Sequence, residues 1–199
     1  REEELSSGDM LMIVKNNYFW TEKEKKESGE GSAGAVPAFL ANGDRAKVLR
    51  VSNYIELYGF RFATLLLQLP DYDDYEIQVT GMLDTLQSEA PALTHEQQEE
   101  LFRQVEEDYQ HFVPLKADRM KSIRQDAYFN ALQIKYAYAV TCHKAQGGQW
   151  AHVYVDQGYM TDDMLTPDYI HWLYTAFTRA TDKLFLVNWP KEQTCEPTD

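Results

Sequence analysis

Apolar residues occur along this chain in short runs whose period changes twice. Met10-Leu11-Met12-Ile13-Val14, between Asp9 and Lys15, is a continuous apolar run that predicts a short buried strand. Ala46 to Val51, Tyr54 to Tyr58, Phe60 to Leu69 and Glu76 to Thr80 are rich in alternating, β-branched or aromatic residues and predict further strands. Asn42-Gly43, Gly59 and Pro70 with Asp71-Tyr72-Asp73-Asp74 punctuate them as tight turns. Short strands joined in this way predict a small β-barrel or meander.

The period becomes helical at Thr94. Thr94-His95-Glu96-Gln97 fits a capping box, and Leu101, Val105, Tyr109 and Phe112 follow at helical spacing. Pro114 ends that helix, and residues 116–125 predict a second, more basic one. Residues 133–140 alternate again and predict a strand that delivers Thr141 and His143 to its C-terminal end. Residues 152–156 and 184–187 predict two more strands, with a helix opening at Asp168 between them. This order points to α/β layers in the last third of the chain. The stretch from Glu22 to Gly34, thick with Glu, Lys, Gly and Ser, is expected to be a mobile loop.

Composition refines this picture. The chain has 199 residues, enough for one good core plus a smaller module, and a net charge of −13. That charge argues against a surface that grips nucleic acid everywhere. Its distribution leaves room for a local groove: residues 1–132 carry 14 Lys and Arg against 24 Asp and Glu, and residues 133–199 carry 5 against 8. No apolar run is long enough for a membrane span and the N-terminus lacks a signal-peptide shape, so a cytoplasmic location without membrane partners is expected. Cys142 and Cys195 read as free thiols. A Cys142–His143 catalytic pair is disfavoured because neighbours on a strand point to opposite faces. The Asp71–Asp74 run lacks the Gly and Glu of a calcium loop, His95 and His111 have no partner at ligand spacing, and no metal site is expected.

Candidate chemistry gathers in two segments. Thr141-Cys142-His143-Lys144-Ala145-Gln146-Gly147-Gly148-Gln149-Trp150 supplies hydroxyl, imidazole, ammonium and amide donors beside a Gly pair that permits close backbone approach. Donors without a carboxylate suit an anion such as phosphate. Tyr174-Thr175-Ala176-Phe177-Thr178-Arg179-Ala180 places a guanidinium among small neighbours. Taken singly, Arg179 reads as a surface ion-pair partner of Asp182 or Asp168, and His143 and Lys144 as solvated. The joint pattern favours a ligand site.

The first segment closely resembles motif V of superfamily 1 helicases of the UvrD and RecD type, and the second resembles their motif VI. Asp9 to Tyr18 with Asn42-Gly43-Asp44 resembles the RecD-like segment before an inserted barrel. The resemblance implies a RecA-like, parallel-sheet α/β helicase C-terminal domain, one half of a P-loop NTPase-type motor, at residues 1–42 and 126–199. An SH3-like β-barrel with helices would be inserted at 43–125. It further implies that Arg179 is an arginine finger reaching the γ-phosphate of ATP, with Gly148 and Gln149 also toward ATP. Thr141, His143, Lys144 and Asn17 would face single-stranded DNA. The family usually has Glu where this chain has Gln149, whose amide can still hydrogen-bond a ribose hydroxyl.

No G-x-x-x-x-G-K-[ST] loop and no Asp-Glu magnesium box occurs in the sequence. The resemblance therefore implies that ATP and Mg2+ are held mainly by an N-terminal RecA-like domain of the same polypeptide, and that this chain alone is inactive. The implied setting is DNA repair and recombination, beside other repair proteins and an exodeoxyribonuclease V α-like relative. Two alternatives stand beside it: a non-enzymatic acidic module that binds a protein partner through its barrel and helices, and a degenerate helicase domain without ATPase function.

Overall fold

The computed structural model describes residues 4–28, 36–190 and 193–194, which form two compact units divided after Tyr138. The first unit is built on a closed five-stranded barrel in the order β1 (Met10–Ile13), β2 (Arg45–Leu57), β3 (Phe60–Leu69), β4 (Tyr75–Met82) and β5 (Leu132–Tyr136). Successive strands from β1 to β4 are antiparallel, β5 runs parallel to β4 with Gly81 opposite Leu132, and β1 closes the ring against β5 with Ile13 opposite Ile134.

Closure decides where the first and fifth strands belong. β2, β3 and β4 alone would leave two rows of unpaired backbone groups. β1 covers the free edge of β2, β5 covers that of β4, and their mutual pairing removes both edges. Residues 10–13 and 132–136, expected in the RecA-like sheet outside a 43–125 insertion, are thus strands of the barrel. Leu11, Ile13, Val48, Leu65, Leu67, Ile77, Val79, Leu132 and Ile134 fill its interior. Full burial of each such side chain contributes about 1.5–3 kcal/mol.

Two local readings change. Residues 46–51 and 54–58 are one strand, and the polar Ser52-Asn53 step between them is a bulge, with Asn53 at φ 51° and a register shift from Ser52 to Ile55. Residues 19–28, mostly placed in the expected loop, form helix α1 (Phe19–Ser28). Asn17 Oδ1 accepts from the Trp20 amide at 3.3 Å and so starts the helix, while Trp20 and Thr21 are buried and anchor it. The rest of that expected loop, and Cys195, lie outside the described residues.

Helix α2 (His95–Gln110) begins with the expected capping box, both Thr94–Gln97 bonds being present. It packs with α3 (Lys116–Arg124) through Leu101, Val105 and Ile123 onto Phe60, Phe62 and Met82. The second unit is a β-α-β element: β6 (Trp150–Asp156), α4 (Pro167–Phe177) and β7 (Ala180–Val187), the strands parallel with Tyr154 opposite Phe185. Tyr154 and Phe185 stack at 4.5 Å on one sheet face and stay 69% and 38% exposed. Among the described residues no helix is long and apolar enough to cross a membrane.

Candidate nucleotide and strand site

Residues 141–149 form a compact turn rather than the end of a strand. The Ala145 amide donates to the Thr141 carbonyl at 3.1 Å, Gln146 to His143 at 3.3 Å and Gly148 to Ala145 at 3.2 Å. Gly147, at φ 85°, ends the coil where a side chain would be strained. Ala145 is buried and pins the turn, so Thr141, His143, Lys144, Gln146 and Gln149 are exposed around it. The expected strand over 133–140 ends at Tyr136 instead.

Arg179, two residues past α4, joins this turn to the helix. Its Nε donates to the Thr175 carbonyl, its Nη1 to the Gly148 carbonyl and its Nη2 to Thr178 Oγ1, each at 2.9 Å. The Arg179 carbonyl accepts from the Trp150 amide at 2.9 Å, so backbone and side chain clasp the same three-residue stretch. Thr178 Oγ1 in turn donates to the Tyr174 carbonyl at 2.7 Å. The ion-pair reading fails on geometry, because Asp182 faces His152 at 3.3 Å and Asp168 faces His171 at 4.0 Å.

Cys142 and His143 border one cavity of about 690 Å3, where strand geometry would have parted them. The Cys142 Sγ lies 3.5 Å from the Trp172 carbonyl. Burial pushes the Cys142 thiol above its ordinary pKa, opposed by the positive charge of Arg179. A thiol held protonated is a poor nucleophile, which counts against a catalytic pair on firmer ground than strand alternation.

Asn17 lies in the first unit with both ends of its amide engaged. Beside the contact to Trp20, its Nδ2 donates to the Asn130 carbonyl at 3.0 Å, and its backbone bridges to Leu40. The structure thus gathers Thr141, His143, Lys144, Gly148, Gln149 and Arg179 in the second unit, and gives Asn17 a local structural role in the first. Sequence reasoning missed Gln157, which is 8% exposed just past β6. Its signal was the polar pair Asp156-Gln157 before Gly158, where a strand gives way to a loop.

Residues 136–187 match the family model of the UvrD-like helicase C-terminal domain. That stretch, about a quarter of the chain, is similar to UvrD-like helicase C-terminal domains. The resemblance of the two motifs is borne out there, and both flank the Arg179–Gly148 bond. The chain is also similar in structure to the Pif1 helicase from Candida albicans, at 14% identity and a TM-score of 0.41, over 94% of this chain and 33% of that one. It spans about a third of that protein's length. No curated protein matches the chain.

Proposed function

We propose that this chain forms part of an ATP-dependent DNA helicase, contributing one wall of the nucleotide cleft and part of the single-stranded DNA track. The observation that carries this reading is the Arg179 clasp on the Gly148 carbonyl, inside a segment that matches the UvrD-like helicase C-terminal domain. In the proposed cycle Arg179 exchanges its neutral acceptors for the γ-phosphate of ATP held by a partnering RecA-like domain. A guanidinium binds a phosphoryl oxygen more strongly than a carbonyl, since both partners are then charged. It stabilises the charge that develops during transfer. Gly148 and Gln149 lie beside the nucleotide, and Thr141, His143 and Lys144 present donors to the strand backbone. ATP and Mg2+ are then held mainly by the phosphate loop and carboxylates of that other domain, and this chain alone does not hydrolyse ATP.

The test is DNA-stimulated ATP hydrolysis by a polypeptide carrying both RecA-like domains. Arg179→Ala is expected to lower turnover by about 10³–10⁵, with ATP affinity changed only a few-fold. Hydrolysis at the unaltered rate would remove the arginine-finger role.

A further inference from the structure

A cavity of about 250 Å3 in the first unit serves none of the roles proposed above. Lys15 and Asn16 border it from the β1–α1 connection, Gln98 from the first turns of α2, and Asn130 and Gln133 from the chain around the start of β5. Hydrogen-bond polarity fixes the direction of its amides, because an ammonium or a backbone N–H can only donate and must meet an amide oxygen. Gln98 Oε1 accepts from Lys15 Nζ at 2.9 Å and from Gln133 Nε2 at 3.4 Å. Gln133 is 6% exposed and is fixed in turn by the Leu93 amide, which donates to its Oε1 at 2.9 Å. Asn16 Oδ1 accepts from the Asn42 amide at 2.7 Å. Gln98 Nε2 and Asn16 Nδ2 are thereby left as donors without a partner among the described residues, and neither is sealed from solvent. Asn17 and Asn130 add no donor, since their Nδ2 atoms are spent on the carbonyls of Asn130, Arg124 and Asp126.

Charge points the same way. Lys15 has no carboxylate partner among the described residues, although residues 1–132 carry 24 Asp and Glu against 14 Lys and Arg. Among the described residues that line the cavity there is no Asp, Glu or His. Glu99 and Glu100, next to Gln98 in sequence, are turned to His95 at 3.3 Å and to Arg103. One ammonium and two amide donors, with no carboxylate to oppose them, suit an oxyanion. A tetrahedral phosphate presents acceptor oxygens in several directions, so donors from two chain segments can meet on it.

We infer that this cavity binds a phosphate group, held by Lys15 Nζ, Gln98 Nε2 and Asn16 Nδ2. The group comes from the backbone of a single strand or from free inorganic phosphate. The strand source rests on the DNA reading proposed above, and the cavity's preference for phosphate does not.

The experiment is a 15N–1H NMR titration of the 199-residue chain. It reads the side-chain amides of Gln98 and Asn16, with the backbone amides of His143 and Lys144 followed alongside. The probes are inorganic phosphate and the dT octamer, with sodium chloride at matched ionic strength as the reference. Phosphate is expected to shift both side-chain amides at least tenfold more than chloride does. Lys15→Gln is expected to weaken binding at least fivefold, and Gln98→Glu, which sets a carboxylate on Lys15, to abolish it. Selectivity of the unaltered chain for phosphate over chloride decides the matter if those variants do not fold. Shifts at both side chains from the octamer support the inference with the strand as source. Lys15→Gln is then expected to lower the slope of log affinity against log salt by about 0.7. Shifts from inorganic phosphate alone support it with free phosphate as source. If neither probe moves Gln98 and Asn16 beyond chloride, the inference is overturned, and octamer shifts at His143 and Lys144 would then leave the strand track standing.

Discussion

Arg179 Nη1 donates to the Gly148 carbonyl at 2.9 Å, so the arginine that follows α4 is fastened to the 141–149 turn. Its other two contacts hold the end of α4, and together they make one guanidinium the fastener of a small β-α-β unit. Without these two carbonyls and one hydroxyl the half-buried guanidinium would be left with unpaired donors, which is unfavourable.

Lysine cannot reproduce this fork. Arg179→Lys keeps the charge but loses the planar arrangement that reaches Thr175, Gly148 and Thr178 together. The second unit is expected to lose about 1–3 kcal/mol. Urea unfolding followed by the fluorescence of Trp150, Trp172 and Trp189 measures it, with Trp20 replaced by Phe to silence the first unit. An unchanged midpoint would show that the clasp carries no stability.

The same guanidinium reports on Cys142. Burial raises the thiol pKa and Arg179 lowers it, burial being the larger influence. Alkylation of Cys142 by iodoacetamide, followed peptide by peptide, is expected to rise with pH at a midpoint above that of the urea-unfolded chain. Arg179→Ala removes the favourable charge beside the thiolate, so its midpoint is expected to move higher still. A midpoint that moves down in the variant contradicts the assigned electrostatics.

Much of this fold was legible in local pattern, and the exceptions have physical causes. The capping box at Thr94 and the strands at 60–69 and 152–156 follow from propensity and periodicity, which act over a few residues. Helix α1 was hidden because its Glu and Lys residues read as loop composition. They are good helix formers, and Lys23 and Glu27 approach at 3.9 Å across one turn. Closure of the barrel by β1 and β5 was not legible, since pairing Ile13 with Ile134 joins residues far apart in sequence. In the candidate site the residue types of both motifs were legible. The Arg179–Gly148 bond and the buried Gln157 depend on how the turn at 141–149 coils, which no local period encodes.

Alkaline pH tests the barrel's hydroxyls. The Tyr72 hydroxyl donates to Asp44 at 2.9 Å, and its pKa is pushed up to about 12 by burial, then by that bond and the charges of Asp44 and Asp71. A folded pKa above the unfolded value of about 10 means the folded state keeps its proton longer. This contribution is complete below pH about 10 and is lost as pH rises toward 12. The thermal midpoint of the first unit is expected to fall across that window, and less steeply in Tyr72→Phe. Residual slope remains from Tyr58, Tyr75 and Tyr109, whose hydroxyls are shifted the same way. Parallel slopes in the two proteins would discharge Tyr72 from the effect.

Gly81 is where the barrel has least tolerance. A Cβ there would lie 2.4 Å from Leu65 Cδ1 and 3.3 Å from Ile134 Cδ1, both side chains fully buried. Gly81 also sits opposite Leu132 in the parallel β4–β5 pair that closes the ring. Its missing side chain is therefore a packing requirement of closure rather than a need for unusual backbone angles. Leu65 can yield only by leaving its rotamer inside a filled interior, so Gly81→Ala is expected to cost about 1–3 kcal/mol. Pairing it with Leu65→Ala opens the space the new methyl needs. The double variant is then expected to be more stable than the sum of the two single losses predicts, by an interaction of about 0.5–3 kcal/mol. Urea unfolding of the four proteins of the cycle measures this, and strict additivity would show that Leu65 is not what excludes a side chain at position 81.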